Sequence, residues 1–223
     1  MKPSVIIFDV NETLLDMSPL QKKVNTLLGS KRGFRIWFGL LLQYSLVDNC
    51  TGSYHDFSTI ANATLDMAAK ALGKEGEDDE KKEALAPMKQ LSAYSDVEKG
   101  LKLLKEGGYR LATLTNSPPN TQSEQLQYAG LTKYFEQTLS IDAVKKYKPA
   151  IESYQYAAKT LGVNTEDMLM VAAHGWDMAG AINAGMQAAF IERKGQSLYP
   201  LAAKPQYIGK DLVAIANAII KQS

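Results

Sequence analysis

Asp9 closes the apolar run Val5-Ile6-Ile7-Phe8 and opens the stretch Asp9-Val10-Asn11-Glu12-Thr13-Leu14-Leu15-Asp16. A carboxylate at the end of a buried strand is costly unless something uses it. With an ordinary aspartate pKa of ~3.9 it is ionised at neutral pH. An ionised carboxylate can attack a carbon and form an ester. An aspartate in such a place also caps ordinary turns, so its meaning depends on its company. Leu114-Thr115-Asn116-Ser117-Pro118-Pro119 follows another apolar run. Its hydroxyl, amide and backbone N–H groups suit a carboxylate or phosphate. Tyr147-Lys148-Pro149 sets a lysine before a proline, in extended or turn backbone. That ammonium can offset the charge of Asp9. Val171-Ala172-Ala173-His174-Gly175-Trp176-Asp177 ends a further run with His174 beside an acid, Asp177. Each segment alone reads as turn or surface chemistry. Together they are hard to explain as packing.

These groups meet only if one sheet positions them. Val5 to Phe8, Leu111 to Leu114, Met168 to Ala172 and Ala188 to Ile191 are short apolar runs with turn residues at their flanks, which predicts buried parallel strands. A weaker strand is expected over Glu136 to Ile141. Helices are predicted over Ser95 to Gly107, Gln122 to Ala129 and Ile151 to Leu161, with glycines at their ends. The alternation predicts an α/β, doubly wound parallel sheet, and in such sheets ligands bind outside the carboxyl ends of the strands. From about Ser18 to Leu91 no strand pattern appears. Phe34 to Val47 and Phe57 to Leu72 carry apolar residues at helical spacing. The charged run Glu75 to Glu83 predicts a solvated loop and helix start. A helical block inserted after the first strand is placed to cover the strand ends and exclude water.

The 25 Lys and Arg against 24 Asp and Glu leave a net charge of +1. That balance offers no electrostatic footprint for nucleic acid or an anionic membrane. A lone cysteine, Cys50, precludes an intrachain disulfide and suits a reducing compartment. The apolar start is interrupted by Asp9, and Phe38 to Leu42 is far too short to span a bilayer. A soluble, cytoplasmic protein is the expectation.

In order and spacing, FDVNETLLD (Phe8 to Asp16), LTNSPP (Leu114 to Pro119), YKP (Tyr147 to Pro149) and VAAHGWD (Val171 to Asp177) resemble the haloacid dehalogenase superfamily. Within it the chain is similar to the type II (S)-2-haloacid dehalogenases. The likeness runs over nearly the whole chain, and Tyr154 falls at the family's distance after Lys148. The resemblance implies a Rossmann-like core at 1–16 and 93–223, a helical cap at 17–92, commonly a homodimer, and no cofactor or metal. It implies a small 2-haloacid and water as the molecules bound. By the same resemblance Asp9 is the nucleophile and Thr13 supports it. Thr115, where the family usually has Ser, holds Asp9 or the substrate carboxylate. Asn116 helps hold substrate or the leaving halide. Lys148 stabilises Asp9 with Tyr154 nearby, Asp177 orders Lys148 and the water, and Trp176 lines the apolar wall.

Three departures bear on mechanism. The family's Tyr-Gly after the nucleophile is Asn11-Glu12 here. Its halide-binding Arg, after a Trp in the cap, falls on Phe38 in Trp37-Phe38, with Arg35 just upstream as a substitute. Its Asn in the last segment is His174, and its Ser is Ala172. Glu12 and His174 both depart from the pattern near Asp9, so a His–Glu pair that activates the hydrolytic water near neutral pH is the expectation. One rival is a Mg²⁺-dependent phosphatase of the same superfamily, which uses an Asp two residues after the nucleophile where this chain has Asn11. The other is a non-catalytic binding protein on the same scaffold.

Overall fold

The structure, a computed structural model, describes residues 2–74 and 77–222. Strand β1 (Val5–Phe8) is apolar throughout and wholly buried, as a central parallel strand covered on both faces requires. It pairs in parallel with β2 (Arg110–Thr115) on one side and β4 (Met168–Ala172) on the other. Beyond them lie β3 (Gln137–Ser140) next to β2, and β5 (Gln187–Ile191) then β6 (Tyr207–Gly209) next to β4. The order is β3-β2-β1-β4-β5-β6. The chain thus moves outward from β1 one way and returns to build the other half. Strand order reverses between β1 and β4, and a crevice opens at the carboxyl ends there. Asp9 leaves β1 at that point, and His174 and Asp177 follow β4.

After β1 the chain runs through α1 (Ser18–Leu27), α2 (Gly33–Thr51), α3 (Phe57–Ala71) and α4 (Asp78–Leu85), then a further α-helix, before it returns to the sheet at β2. Helix α2 buries Phe34, Trp37, Phe38 and Leu41. Trp37 donates from Nε1 to the carbonyl of Ala61 in α3 at 2.8 Å, which fixes the two helices together. Asp56 caps α3, its carboxylate accepting from the N–H groups of Ser58 and Thr59 at 3.0 and 3.1 Å. Helix α4 starts inside the charged run read from the sequence, of which Glu75 and Gly76 lie outside the described residues.

The remaining helices are α5 (Val97–Glu106), α6 (Pro119–Tyr128), α7 (Ile151–Leu161), α8 (Gly175–Asn183) and α9 (Leu212–Lys221). Strand β6 and helix α9 extend the fold beyond the sequence reading. With three residues, β6 has no pattern of its own and exists by pairing with β5. Helix α9 buries Leu212, Ile215, Ala216 and Ile219 at helical spacing against α5. No helix among the described residues is long and apolar enough to cross a membrane.

Candidate active site

Asp9 continues the ladder past β1, its N–H donating to the carbonyl of Val171 at 3.1 Å. Its side chain is almost fully buried and accepts from three groups. Lys148 Nζ donates to Oδ1 at 3.0 Å. Thr13 Oγ1 donates to Oδ2 at 2.7 Å, and its own oxygen accepts from the N–H of Ala173 at 3.0 Å. His174 Nδ1 stands 3.2 Å from Oδ2. Burial alone raises a carboxyl pKa, but Lys148 and His174 outweigh it and hold Asp9 well below the usual range. The group is therefore held as an anion.

Lys148 is also buried and bridges two acids, with Asp177 Oδ2 at 2.6 Å. Burial pulls its pKa down, and Asp177 and Asp9 more than reverse that, so it stays an ammonium. Tyr154 donates to the other Asp177 oxygen at 2.6 Å, leaving neither oxygen of that acid unpaired. The loop that carries Lys148 is held from both sides. Asn116 Oδ1 accepts from the Lys148 N–H at 3.0 Å, so its Nδ2 is the end that remains to donate. From α2, Asn49 donates to the carbonyl of Tyr147 at 2.8 Å and accepts from its N–H at 2.9 Å.

Glu12 has left-handed backbone, φ 59°. For a glutamate that costs on the order of 1–3 kcal/mol, and such strain gathers at functional sites. It lies beside the imidazole, with Oε2 3.0 Å from His174 Nε2. The same oxygen accepts from Gln196 Nε2 at 3.1 Å. The ring stacks on Trp176 with centroids 5.0 Å apart. The structure thus brings His174 and Glu12 together. It differs from the sequence expectation in one respect: the imidazole has two carboxylate partners, the second being Asp9. Burial lowers its pKa, but hydrogen bonds to Asp9 and Glu12 prevail and raise it to about 9. With Asp9 ionised, His174 is held as a cation at neutral pH.

This has a measurable consequence for stability. The folded His174 pKa, about 9, lies above its unfolded value of 6.5. Its contribution is full below pH 6.5 and is lost as pH rises through about 9. The melting temperature is expected to fall across that window, and to fall less in His174→Asn, measured by calorimetry.

A cavity of about 310 Å³ opens beside this cluster, with Glu12, His174 and Trp176 on one wall and Phe34, Arg35 and Phe38 of α2 on the other. Other residues singled out in the sequence brace the loops around this cluster. Asn11 donates to Ser117 Oγ at 3.0 Å and accepts from Gln125 at 3.0 Å, so it braces the first loop against the second. The Thr115 hydroxyl accepts from the N–H of Ser117 at 3.2 Å. Sequence reasoning passed over Arg193 and Gln196. Arg193 donates to the carbonyl of Thr13 at 2.9 Å and to Asp96 at 2.7 Å. Both residues follow the carboxyl end of β5, and that position was the available signal.

The parallel α/β sheet thus carries a buried aspartate, a lysine and a second acid at its switch point. The chain belongs to the haloacid dehalogenase-like hydrolase family, whose model matches residues 3–185. It is 30% identical over 191 residues to (S)-2-haloacid dehalogenase 4A of Burkholderia cepacia, covering 85% of this chain and 83% of that one. To (S)-2-haloacid dehalogenase 1 of Pseudomonas sp. (strain CBS-3) it is 31% identical over 189 residues, covering 84% and 83%. A solved L-2-haloacid dehalogenase superposes over 100% of both chains, with a TM-score of 0.92 and 25% identity.

Proposed function

We propose that this protein hydrolyses short (S)-2-haloacids to 2-hydroxy acids through an ester on Asp9, with residues 17–92 as a cap over a catalytic core formed by 1–16 and 93–223. The observation that carries the reading is a buried aspartate ionised against Lys148 and in contact with an imidazole whose other nitrogen meets Glu12. Asp9 attacks the halogen-bearing carbon, the carbon–halogen bond breaks, and halide departs. Attack from the face opposite the halogen inverts the configuration. Asp9, Lys148 and Asp177 are buried away from water, which strengthens their electrostatic contacts. In this reading Arg35, which lines the cavity, and the Asn116 amide are the donors that meet the departing halide.

Ester formation discharges Asp9 and removes one of the two partners that hold the proton on His174. The proton on Nδ1 is then released to solvent, while Nε2–H stays on Glu12. Nδ1 is thereby freed as a base on the side facing the Asp9 carbonyl carbon. It takes a proton from water, hydroxide adds to that carbon, and the bond from that carbon to the bridging ester oxygen breaks, so the original Asp9 oxygen leaves with the product. The departing alkoxide takes the proton of the new Asp9 carboxyl group, and the site is restored with His174 again a cation. In this cycle the dyad acts only after alkylation, which keeps the imidazole from competing with the first step. A homodimer is the assembly that the family resemblance implies.

Halide release from bromoacetate is expected in buffer containing a chelator, measured by ion chromatography. Phosphate release from p-nitrophenyl phosphate with Mg²⁺, and no halide under either condition, would point to the phosphatase instead.

A further inference from the structure

Helix α2 presents Arg35, Phe38, Gly39 and Leu42 to the cavity beside His174. These positions are spaced i, i+3, i+4 and i+7, a single face of the helix. Three of them carry large side chains. The fourth is a glycine in the interior of a 19-residue helix, where glycine is a poor helix former. Two ordinary reasons for such a glycine fail here. Its φ is not positive, so no left-handed backbone demands it. Apart from the helix backbone and its chain neighbours, no atom lies within 4 Å of where its Cβ would stand, so no close approach demands it either. By contrast, a Cβ on Gly180 would come within 2.5 Å of the Tyr154 hydroxyl, so packing explains that glycine. Gly39 is solvent-exposed at the rim of the cavity, whose lining also includes Phe38, Leu42 and Trp176, and without a side chain it leaves that rim open.

We propose that Gly39 sets the size of substrate this site admits, and that the site accepts 2-haloacids bearing an alkyl chain of several carbons on C2. This rests on the dehalogenase reading above. Bromoacetate has no group to fill the space beside Gly39. A butyl chain would lie against Phe38, Leu42 and Trp176 and displace water from apolar wall. The cations Arg35 and Lys194 on the same cavity suit the negative charge that every such acid carries. Position 39 is therefore a specificity determinant, acting on the chain of the substrate and not on its reacting carbon.

The test compares kcat/KM for bromoacetate, (S)-2-bromopropanoate and (S)-2-bromohexanoate in the wild-type protein, Gly39→Ala and Gly39→Leu. The wild type is expected to turn over the hexanoate within about tenfold of the propanoate. The ratio of hexanoate to bromoacetate kcat/KM should fall by roughly 10–100-fold in Gly39→Leu, the range one misfitting apolar group gives. Gly39→Ala should fall in between and melt no lower than wild type, because alanine favours the helix. An equal loss on all three substrates overturns the inference, as does a wild-type protein that dehalogenates bromoacetate and not the hexanoate. Either result leaves the dehalogenase reading standing. If none of the three substrates releases halide, that reading fails and the inference goes with it.

Discussion

Asp9→Asn is expected to abolish halide release from bromoacetate, with kcat lower by at least ~10⁴-fold, the scale on which removal of a covalent nucleophile acts. Asparagine has the shape of aspartate but no anionic oxygen able to attack carbon. The variant is also expected to fold. Lys148 keeps its 2.6 Å contact to Asp177, so its buried charge is not orphaned. The Thr13 hydroxyl still finds an acceptor in the amide oxygen. His174 keeps Glu12 as one carboxylate partner but loses the other, so its pKa moves down from about 9. An NMR titration of the ring reads that shift independently of turnover. Steady-state halide release, with circular dichroism as a check on folding, reads the main effect. Activity within tenfold of wild type would mean that Asp9 does not bond to substrate.

The second large effect belongs to His174→Asn. Alkylation should proceed, because Asp9 keeps Lys148 at 3.0 Å and Thr13 at 2.7 Å. Hydrolysis of the ester should slow by about 10²–10⁴-fold, the usual worth of a positioned base. The predicted signature is a burst of one halide per active site, followed by a slow steady state. Mass analysis of the peptide containing Asp9 should find the carboxymethyl ester. Asparagine here restores the residue type that the resemblance attributes to the family, but Ala172 lacks the hydroxyl that accompanies it there. The substitution therefore removes the proposed base without rebuilding the other arrangement. A variant with no burst and no trapped ester would show that His174 serves the first step or none.

Much of this site was legible in the sequence, and for a physical reason. A buried parallel sheet places the residue after each strand at one edge, so Asp9, Thr115, Asn116, His174 and Asp177 could be assigned to one crevice from apolar runs alone. Lys148 was legible because the residue before a proline cannot sit mid-helix. The pairing of Glu12 with His174 needed only that both follow adjacent strands, β1 and β4. What stayed hidden depends on which way a side chain turns. Nothing in the spacing says that Asn11 turns toward Ser117 and Gln125, or that both ring nitrogens of His174 meet carboxylates. The latter changes the proposed chemistry, because two carboxylate partners raise the His174 pKa to about 9, and the imidazole must lose its proton before it can serve as the proposed base. Arg193 and Gln196 stayed hidden because they sit one strand further out, in a charged stretch that reads as an ordinary loop.

The most direct measurement is a single turnover of bromoacetate by excess enzyme in water enriched in oxygen-18, followed by mass analysis of the product and of the peptide that spans residues 5–22. Hydrolysis of an ester on Asp9 puts the solvent oxygen into that aspartate and leaves the glycolate unlabelled. Labelled glycolate with an unlabelled Asp9 would mean that water itself displaces the halide.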